Sequence, residues 1–175
     1  MRLFIAVNFD EPTKENIMAV QSRLQQLGRG NFSRPENLHL TLAFIGEVEP
    51  DREITIGRLM DELTVPVLQL TFDQVGCFKR EEGDIWWLGL AANQALLDLQ
   101  KDLSSRLRKA GFAIENRRFS PHITLARKVL LNRKPDLNEL LGAPFATEAH
   151  TISLMLSERI NGRLTYTERY RAAKK

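Results

Sequence analysis

The sequence predicts an α+β protein of two lobes related by a pseudo-twofold. Each lobe is a small, mainly antiparallel sheet with helices on its outer face, and a groove lies between them. Three observations predict this. First, Asn37-Leu38-His39-Leu40-Thr41-Leu42-Ala43 returns as Ser120-Pro121-His122-Ile123-Thr124-Leu125-Ala126, 83 residues later in a chain of 175. Second, the same offset superimposes other strand-like and helix-like patterns of the two halves. Third, the segments outside the repeat alternate short helices and strands and end in a hairpin signal. The chain is read as one bilobal domain over 1–175, with a strand–helix–strand repeat of about 1–46 and 84–129.

The elements follow in order. Leu3-Phe4-Ile5-Ala6-Val7 is a short apolar strand, and at offset 83 it falls on Trp86-Trp87-Leu88-Gly89-Leu90. Asp10 falls on Asn93, both good N-caps for a following helix. Val20, Leu24 and Leu27 fall on Leu103, Leu107 and Ala110, a helical stripe in each copy. Gly28 falls on Gly111, where each helix is expected to stop through a C-terminal glycine. The His-x-Thr-Leu strands close each copy. Between the copies, Asp51–Leu63 reads as a helix and Val67–Phe72 as a strand that turns by a hairpin into Ile85–Leu90. After the second copy comes a short helix, Asp136–Leu141, stopped by Gly142. Two strands, about Ala149–Leu156 and Arg163–Tyr170, then flank the turn pair Asn161-Gly162.

Composition narrows the class. Apolar residues make up 43% and charged residues 27%, enough for a packed core, and 7 prolines with 10 glycines exclude a fibrous or low-complexity chain. The single cysteine, Cys77, excludes an intramolecular disulfide and a multi-cysteine metal site, which fits a reducing compartment. The N-terminal apolar run is too short for a signal-peptide core or a membrane span, so the expected setting is the cytoplasm, with no membrane partner. A bilobal chain with its own groove needs no partner subunit and is expected to be a monomer. The net charge is +3, but the nine Lys/Arg and single acid between Arg106 and Lys134 contribute +8, leaving −5 for the rest. Six of those cations, Arg117, Arg118, Arg127, Lys128, Arg133 and Lys134, lie near His122 in sequence. Read alone, such a cluster is a solvated face; beside a cleft it concentrates phosphate-bearing ligands, a small anion or an RNA end rather than a long duplex.

The chemistry sits in the repeated strands. Residues i and i+2 share a face, so His39 and Thr41 point together, as do His122 and Thr124, while Leu40, Leu42, Ile123 and Leu125 point into a core. One such motif alone reads as a half-buried strand histidine. The symmetric pair reads as a site, because imidazole titrates near neutrality and one copy can hold a proton while the other accepts one. Threonine hydroxyls can donate to oxygens carrying developing charge. Two histidines across a groove suit in-line displacement at phosphorus without a metal or other cofactor. Neither motif has a carboxylate at metal-ligand spacing, and His150 shares its parity with Ile152 and Leu154, a structural or surface position. Arg127 breaks the repeat, since Phe44 stands 83 residues earlier. Its guanidinium is a candidate phosphate clamp, although strand parity turns it away from His122 unless the strand ends or bulges there. Phe44 is read as a core residue in preference to a base-stacking one. Trp86 and Trp87 face opposite ways, so at most one reaches the groove.

At these residues the chain resembles the two-histidine (HxTx) phosphoesterase superfamily. More narrowly it is similar to the bacterial and archaeal RNA 2′,3′-cyclic phosphodiesterases, also known as 2′-5′ RNA ligases. The likeness spans nearly the whole chain: Arg2-Leu3-Phe4-Ile5-Ala6-Val7, then Asn37-Leu38-His39-Leu40-Thr41-Leu42, then Ser120-Pro121-His122-Ile123-Thr124-Leu125-Ala126-Arg127. The resemblance implies a bilobal fold with both motifs in the cleft. It also implies hydrolysis of RNA-terminal 2′,3′-cyclic phosphates, or of nucleoside cyclic phosphates, to 2′-phosphates. It assigns His39 as general acid, His122 as general base, and Thr41 and Thr124 as phosphate holders. It further implies the reverse chemistry, 2′-5′ joining of tRNA halves without ATP. Two other readings compete: a non-catalytic module that binds an RNA end or nucleotide in the same cleft, and a metal hydrolase built on His39, His122 and His150.

Overall fold

The computed structural model describes residues 1–173. Among these, nine strands and four helices run in the order β1 (Arg2–Asn8), α1 (Glu11–Gln25), β2 (Gly28–Phe32), β3 (His39–Glu47), α2 (Glu53–Glu62), β4 (Leu68–Phe78), β5 (Asp84–Leu90), α3 (Gln94–Lys109), β6 (His122–Leu131), α4 (Leu137–Leu141), β7 (Phe145–Ala149), β8 (Thr151–Ile160) and β9 (Arg163–Ala173). They form two antiparallel sheets, of order β3-β1-β8-β9 and β2-β6-β5-β4-β7. This is the α+β, two-sheet architecture expected. Two edge strands, β2 and β7, have no counterpart among the expected elements. Their sequences, Gly-Arg-Gly-Asn-Phe and Phe-Ala-Thr-Glu-Ala, lack a run of strand formers, and pairing with β6 and β4 decides their state.

Local signals explain the helix ends. Asp10 accepts from the Thr13 N–H and Asn93 from the Leu96 N–H, both at 2.9 Å, so the two caps match in residue position and in bonding. α3 ends in Arg106, Arg108 and Lys109, cations that suit the negative end of the helix dipole, and Gly111 follows with φ +92°. The first copy departs from this plan. α1 ends at Gln25, and Gly28 is the first residue of β2 rather than a helix stop. A side chain there would run into the Leu130 carbonyl of β6, so close backbone approach, not a left-handed turn, calls for glycine.

The strand equivalence also differs from the sequence expectation. Asn8 pairs with His39 and Gly89 with His122; Ala6 pairs with Thr41 and Trp87 with Thr124. Equivalent positions of β1 and β5 are therefore 81 residues apart, not 83. Two extra residues between Gly89 and the Asn93 cap account for the difference. Because two is even, the alternation of faces survives.

Neither sheet belongs to one half of the chain. β2, from the first half, extends the sheet of β6, and the hairpin β8–β9, from the second half, extends the sheet of β1 and β3. The helices exchange too: α1 packs on β2, β6 and β7, whereas α3 packs on β3 and α2. One apolar cluster runs through both sheets, including Leu3, Ile5, Val20, Leu24, Leu40, Leu88, Leu103, Leu107, Ile123 and Leu125. A smaller cluster of Phe4, Ala6 and Met155, with Tyr166 against it, lies on the opposite face of β1.

Candidate active site

His39 and His122 are the first residues of β3 and β6, strands of different sheets that pack against each other. The expected alternation holds in both. His39, Thr41, His122 and Thr124 are half-buried, and Leu40, Leu42, Ile123 and Leu125 are buried. Each ring is anchored by the carbonyl two residues before it: His39 Nδ1 lies 2.7 Å from the Asn37 oxygen, and His122 Nδ1 lies 2.8 Å from the Ser120 oxygen. A carbonyl only accepts, so each Nδ1 carries the proton and donates it. The neutral rings therefore present an unprotonated Nε2, the atom that can take or return a proton. At His39 that atom lies 2.8 Å from Thr41 Oγ1.

Both strands then bulge at the same place. Thr41 pairs with Ala6 but Ala43 with Ile5, and Thr124 pairs with Trp87 but Ala126 with Trp86. Leu42 and Leu125 are each followed by a second buried residue, Ala43 and Ala126, and the parity resets. The provision attached to Arg127 is thus met: it returns to the face of His122 and Thr124 and is exposed. Phe44 moves by the same device. It is 49% exposed beneath the Arg2 guanidinium, 5.1 Å from the ring centre, so its assignment to the core is corrected.

The bulges are held from the exchanged helices. Gln21 of α1 is buried and donates to the Leu125 carbonyl and to the Ser33 carbonyl, both at 2.9 Å, while the Ser33 N–H also reaches Leu125 O at 3.0 Å. On α3, Gln100 donates to the Leu42 carbonyl at 3.3 Å and to Ser104 Oγ at 3.0 Å. Each histidine strand is braced by the helix that precedes the other one.

The two rings have different surroundings. His39 packs against Phe4 (centroids 4.9 Å apart) and edge-on to Tyr166 (5.2 Å). Burial lowers its pKa below the usual 6.5; the Asn37 carbonyl opposes this, and the charges of His122 and Arg127 push the same way as burial. Two groups from β6, His122 and Arg127, therefore act electrostatically on a residue of β3. Burial raises the pKa of Tyr166, and the charges of Arg127 and Arg2 pull it back, so both guanidiniums act on it electrostatically. His122 lies between Phe78 (5.5 Å, edge-on) and Trp87 (6.5 Å). Trp87 is the tryptophan that faces the groove, and Trp86 is in the core.

Sequence reasoning does not find Asn37, Tyr166, Phe4 or Phe78. Asn37 is buried; its carbonyl orients His39 while its Nδ2 donates to the Leu164 carbonyl of β9 at 3.0 Å. A carbonyl acceptor leaves no trace in residue type, and Tyr166 arrives by a sheet order that local pattern cannot give. His150 is exposed between β7 and β8, as expected. Among the described residues no three His, Cys, Asp or Glu side chains are grouped to hold a metal ion.

Comparison with known proteins places this geometry in context. The family model for the 2′-5′ RNA ligase superfamily matches residues 9–161. An RNA 2′,3′-cyclic phosphodiesterase of Escherichia coli (strain K12) is 34% identical over 127 residues, covering 72% of this chain and 71% of that protein. Its counterpart in Thermotoga maritima is 33% identical over 134 residues, 73% of this chain and 70% of that one. The crystal structure of E. coli LigT complexed with 3′-AMP superposes with a TM-score of 0.83 at 30% identity, covering 98% of this chain and 97% of that chain.

Proposed function

The chain belongs to the 2′-5′ RNA ligase superfamily, and from that premise we propose that it is an RNA 2′,3′-cyclic phosphodiesterase that opens the cyclic phosphate to a 2′-phosphate with His39 as general acid and His122 as general base. The observation that carries this reading is the pair of Nδ1-anchored imidazoles, each offering Nε2, with the charge of one felt by the other. Relatives named as RNA 2′,3′-cyclic phosphodiesterases, and the LigT complexes with 3′-AMP and with phosphate, support the substrate class.

In the proposed cycle His122 Nε2 takes a proton from the attacking water as its oxygen bonds to phosphorus. The P–O3′ bond breaks, and His39 Nε2–H gives its proton to the departing O3′. Thr41, Thr124 and Arg127 donate to the non-bridging oxygens, where charge gathers in the transition state. Burial works against a proton on His39 in the free protein. The anionic phosphate favours the imidazolium, so substrate binding itself loads the acid. Exposed Phe44 offers a ring for the base of the same nucleotide. With a 5′-hydroxyl in place of water, the same two proton transfers join ends through a 2′-5′ linkage, the direction expected for tRNA halves. The single cysteine supports a cytoplasmic setting and the self-contained cleft a monomer.

The test is incubation, with and without excess EDTA, of an RNA ending in a 2′,3′-cyclic phosphate, with the product resolved by phosphorus NMR. A 2′-phosphate formed equally in both is expected. A 3′-phosphate would show that O2′ and not O3′ departs and would overturn the proposed opening, and a bound but intact cyclic phosphate would favour a non-catalytic module.

A further inference from the structure

The floor beside His122 is larger than a water molecule needs. Across β6, β5 and β4, the cleft face carries His122 and Thr124, then Gly89 and Trp87, then Gly76 and Phe78, because Gly89 pairs with His122, Trp87 with Thr124, and Gly76 with Trp87. Neighbouring strands are about 4.8 Å apart, so this floor extends from the histidine across β5 and β4. The indole of Trp87 lies over Gly76 and Gly89; a Cβ at either glycine would strike its six-membered ring. The two glycines let a large ring lie down against the sheet. Phe78 leans on it with centroids 5.7 Å apart, and the Arg80 guanidinium sits 5.8 Å from the Phe78 ring centre. Arg80 is exposed, and its backbone is pinned by Asp84 through an N–H to Oδ1 bond of 3.1 Å. Trp87 Nε1 is buried with no hydrogen-bond partner among the described residues.

We propose that Phe78, Trp87 and Arg80 form a second nucleoside subsite, which holds the nucleoside whose 5′-oxygen attacks, or leaves, on the His122 side. The inference rests on the catalytic reading above. In-line displacement puts the attacking oxygen opposite O3′. If His39 protonates O3′, the ribose bearing the phosphate is on the His39 side, and whatever carries the attacking oxygen stands beside His122. Water gains nothing from two aromatic rings and a guanidinium. A nucleobase gains a stacking surface and the phosphate chain beyond it a cation. In the joining direction the 5′-O–H proton passes to His122 as the P–O5′ bond forms, the P–O3′ bond breaks, and O3′ takes the His39 proton. In the reverse direction O3′ gives its proton to His39, attacks phosphorus, and O5′ leaves with the proton of His122.

The test compares two substrates on wild type, Phe78→Ala, Phe78→Tyr and Arg80→Ala: adenosine 2′,3′-cyclic phosphate, which fills only the His39 side, and a 2′-5′-linked adenylyl-adenosine, which fills both. Phe78→Ala is expected to lower kcat/KM for the dinucleotide by about tenfold more than for the cyclic mononucleotide, with Phe78→Tyr restoring it and Arg80→Ala giving a smaller loss in the same sense only when the dinucleotide carries a further phosphate on its second nucleoside. A dinucleotide lacking the 3′-hydroxyl cannot be cleaved and serves as a binding probe; it is expected to change the tryptophan fluorescence and to bind Phe78→Ala about tenfold more weakly. Equal losses on both substrates, or none on the dinucleotide, overturn the subsite. Failure of wild type to open the cyclic mononucleotide overturns the catalytic reading, and the subsite with it.

Discussion

The two halves of the cleft carry the same motif on the same bulged strand, and they differ in what surrounds it. His39 is wedged among Phe4 and Tyr166 and bonded to its own Thr41, and burial shifts its titration downward. His122 stands on a broader floor of Phe78 and Trp87, with Arg127 three residues past Thr124 on the same side. Two identical imidazoles at symmetric positions would compete for the same proton and give no direction to the reaction. Unequal surroundings break that tie. The half assembled around the C-terminal hairpin encloses its histidine, and the half built on β4–β6 leaves its histidine open to an incoming group.

The largest expected effect comes from removing either imidazole. His39→Ala and His122→Ala should each lower kcat for cyclic phosphate opening by about 10²- to 10⁴-fold, and the double variant should be little worse than either single one, because both protons move in one displacement. Steady-state turnover of a nucleoside 2′,3′-cyclic phosphate measures this; a variant that keeps wild-type kcat removes its histidine from the chemistry.

Arg127 sharpens the contrast, since it belongs to β6 yet acts on His39. Arg127→Ala should lower kcat/KM by about 10- to 100-fold, the size of a lost hydrogen bond to a charged oxygen. It should also shift the pH profile. In the free protein the His39 pKa is below 6.5, so an acid role for His39 makes kcat/KM fall as pH rises through that depressed value. The bound phosphate raises it, so the alkaline limb of kcat should lie at higher pH than that of kcat/KM. Removing the Arg127 charge should move the kcat/KM limb upward. An alkaline limb that does not move between wild type and Arg127→Ala would assign it to another group.

The smallest effects belong to the braces. Gln21→Ala strips the buried donor from the Leu125 carbonyl and should cost about 1 kcal/mol in urea unfolding, whereas Gln100→Ala, whose bond to Leu42 is longer and less buried, should cost less. Equal losses would mean that the two bulges do not differ in how firmly they are held.

Much of this was legible from residue types. The caps Asp10 and Asn93, the stop at Gly111, the turn at Asn161-Gly162 and the shared face of each His-Thr pair follow from local sterics and local hydrogen bonds. Local rules fail where a long-range contact competes with them. Gly28 looks like the partner of Gly111 but is spent on closeness to β6. Phe44 counts as a core residue by unbroken alternation, and a bulge set by pairing with β1 turns it out to solvent. The equivalence of β1 and β5 slips by two because a loop absorbs the difference.

The chain's own letters determined that there are two histidine strands, that each has an apolar side and a polar side, and that an extra cation follows the second. These are matters of period and of neighbours a few residues apart, which the backbone enforces wherever the strand ends up. Only the tertiary structure decided that α1 braces the second histidine strand and α3 the first, that Arg127 reaches the electrostatic surroundings of His39, and that Tyr166 and Phe4 enclose one ring while Phe78 and Trp87 flank the other. Those outcomes depend on which strands pair across a hundred residues of chain. That choice is made by burying all the apolar faces at once, and no single segment contains it.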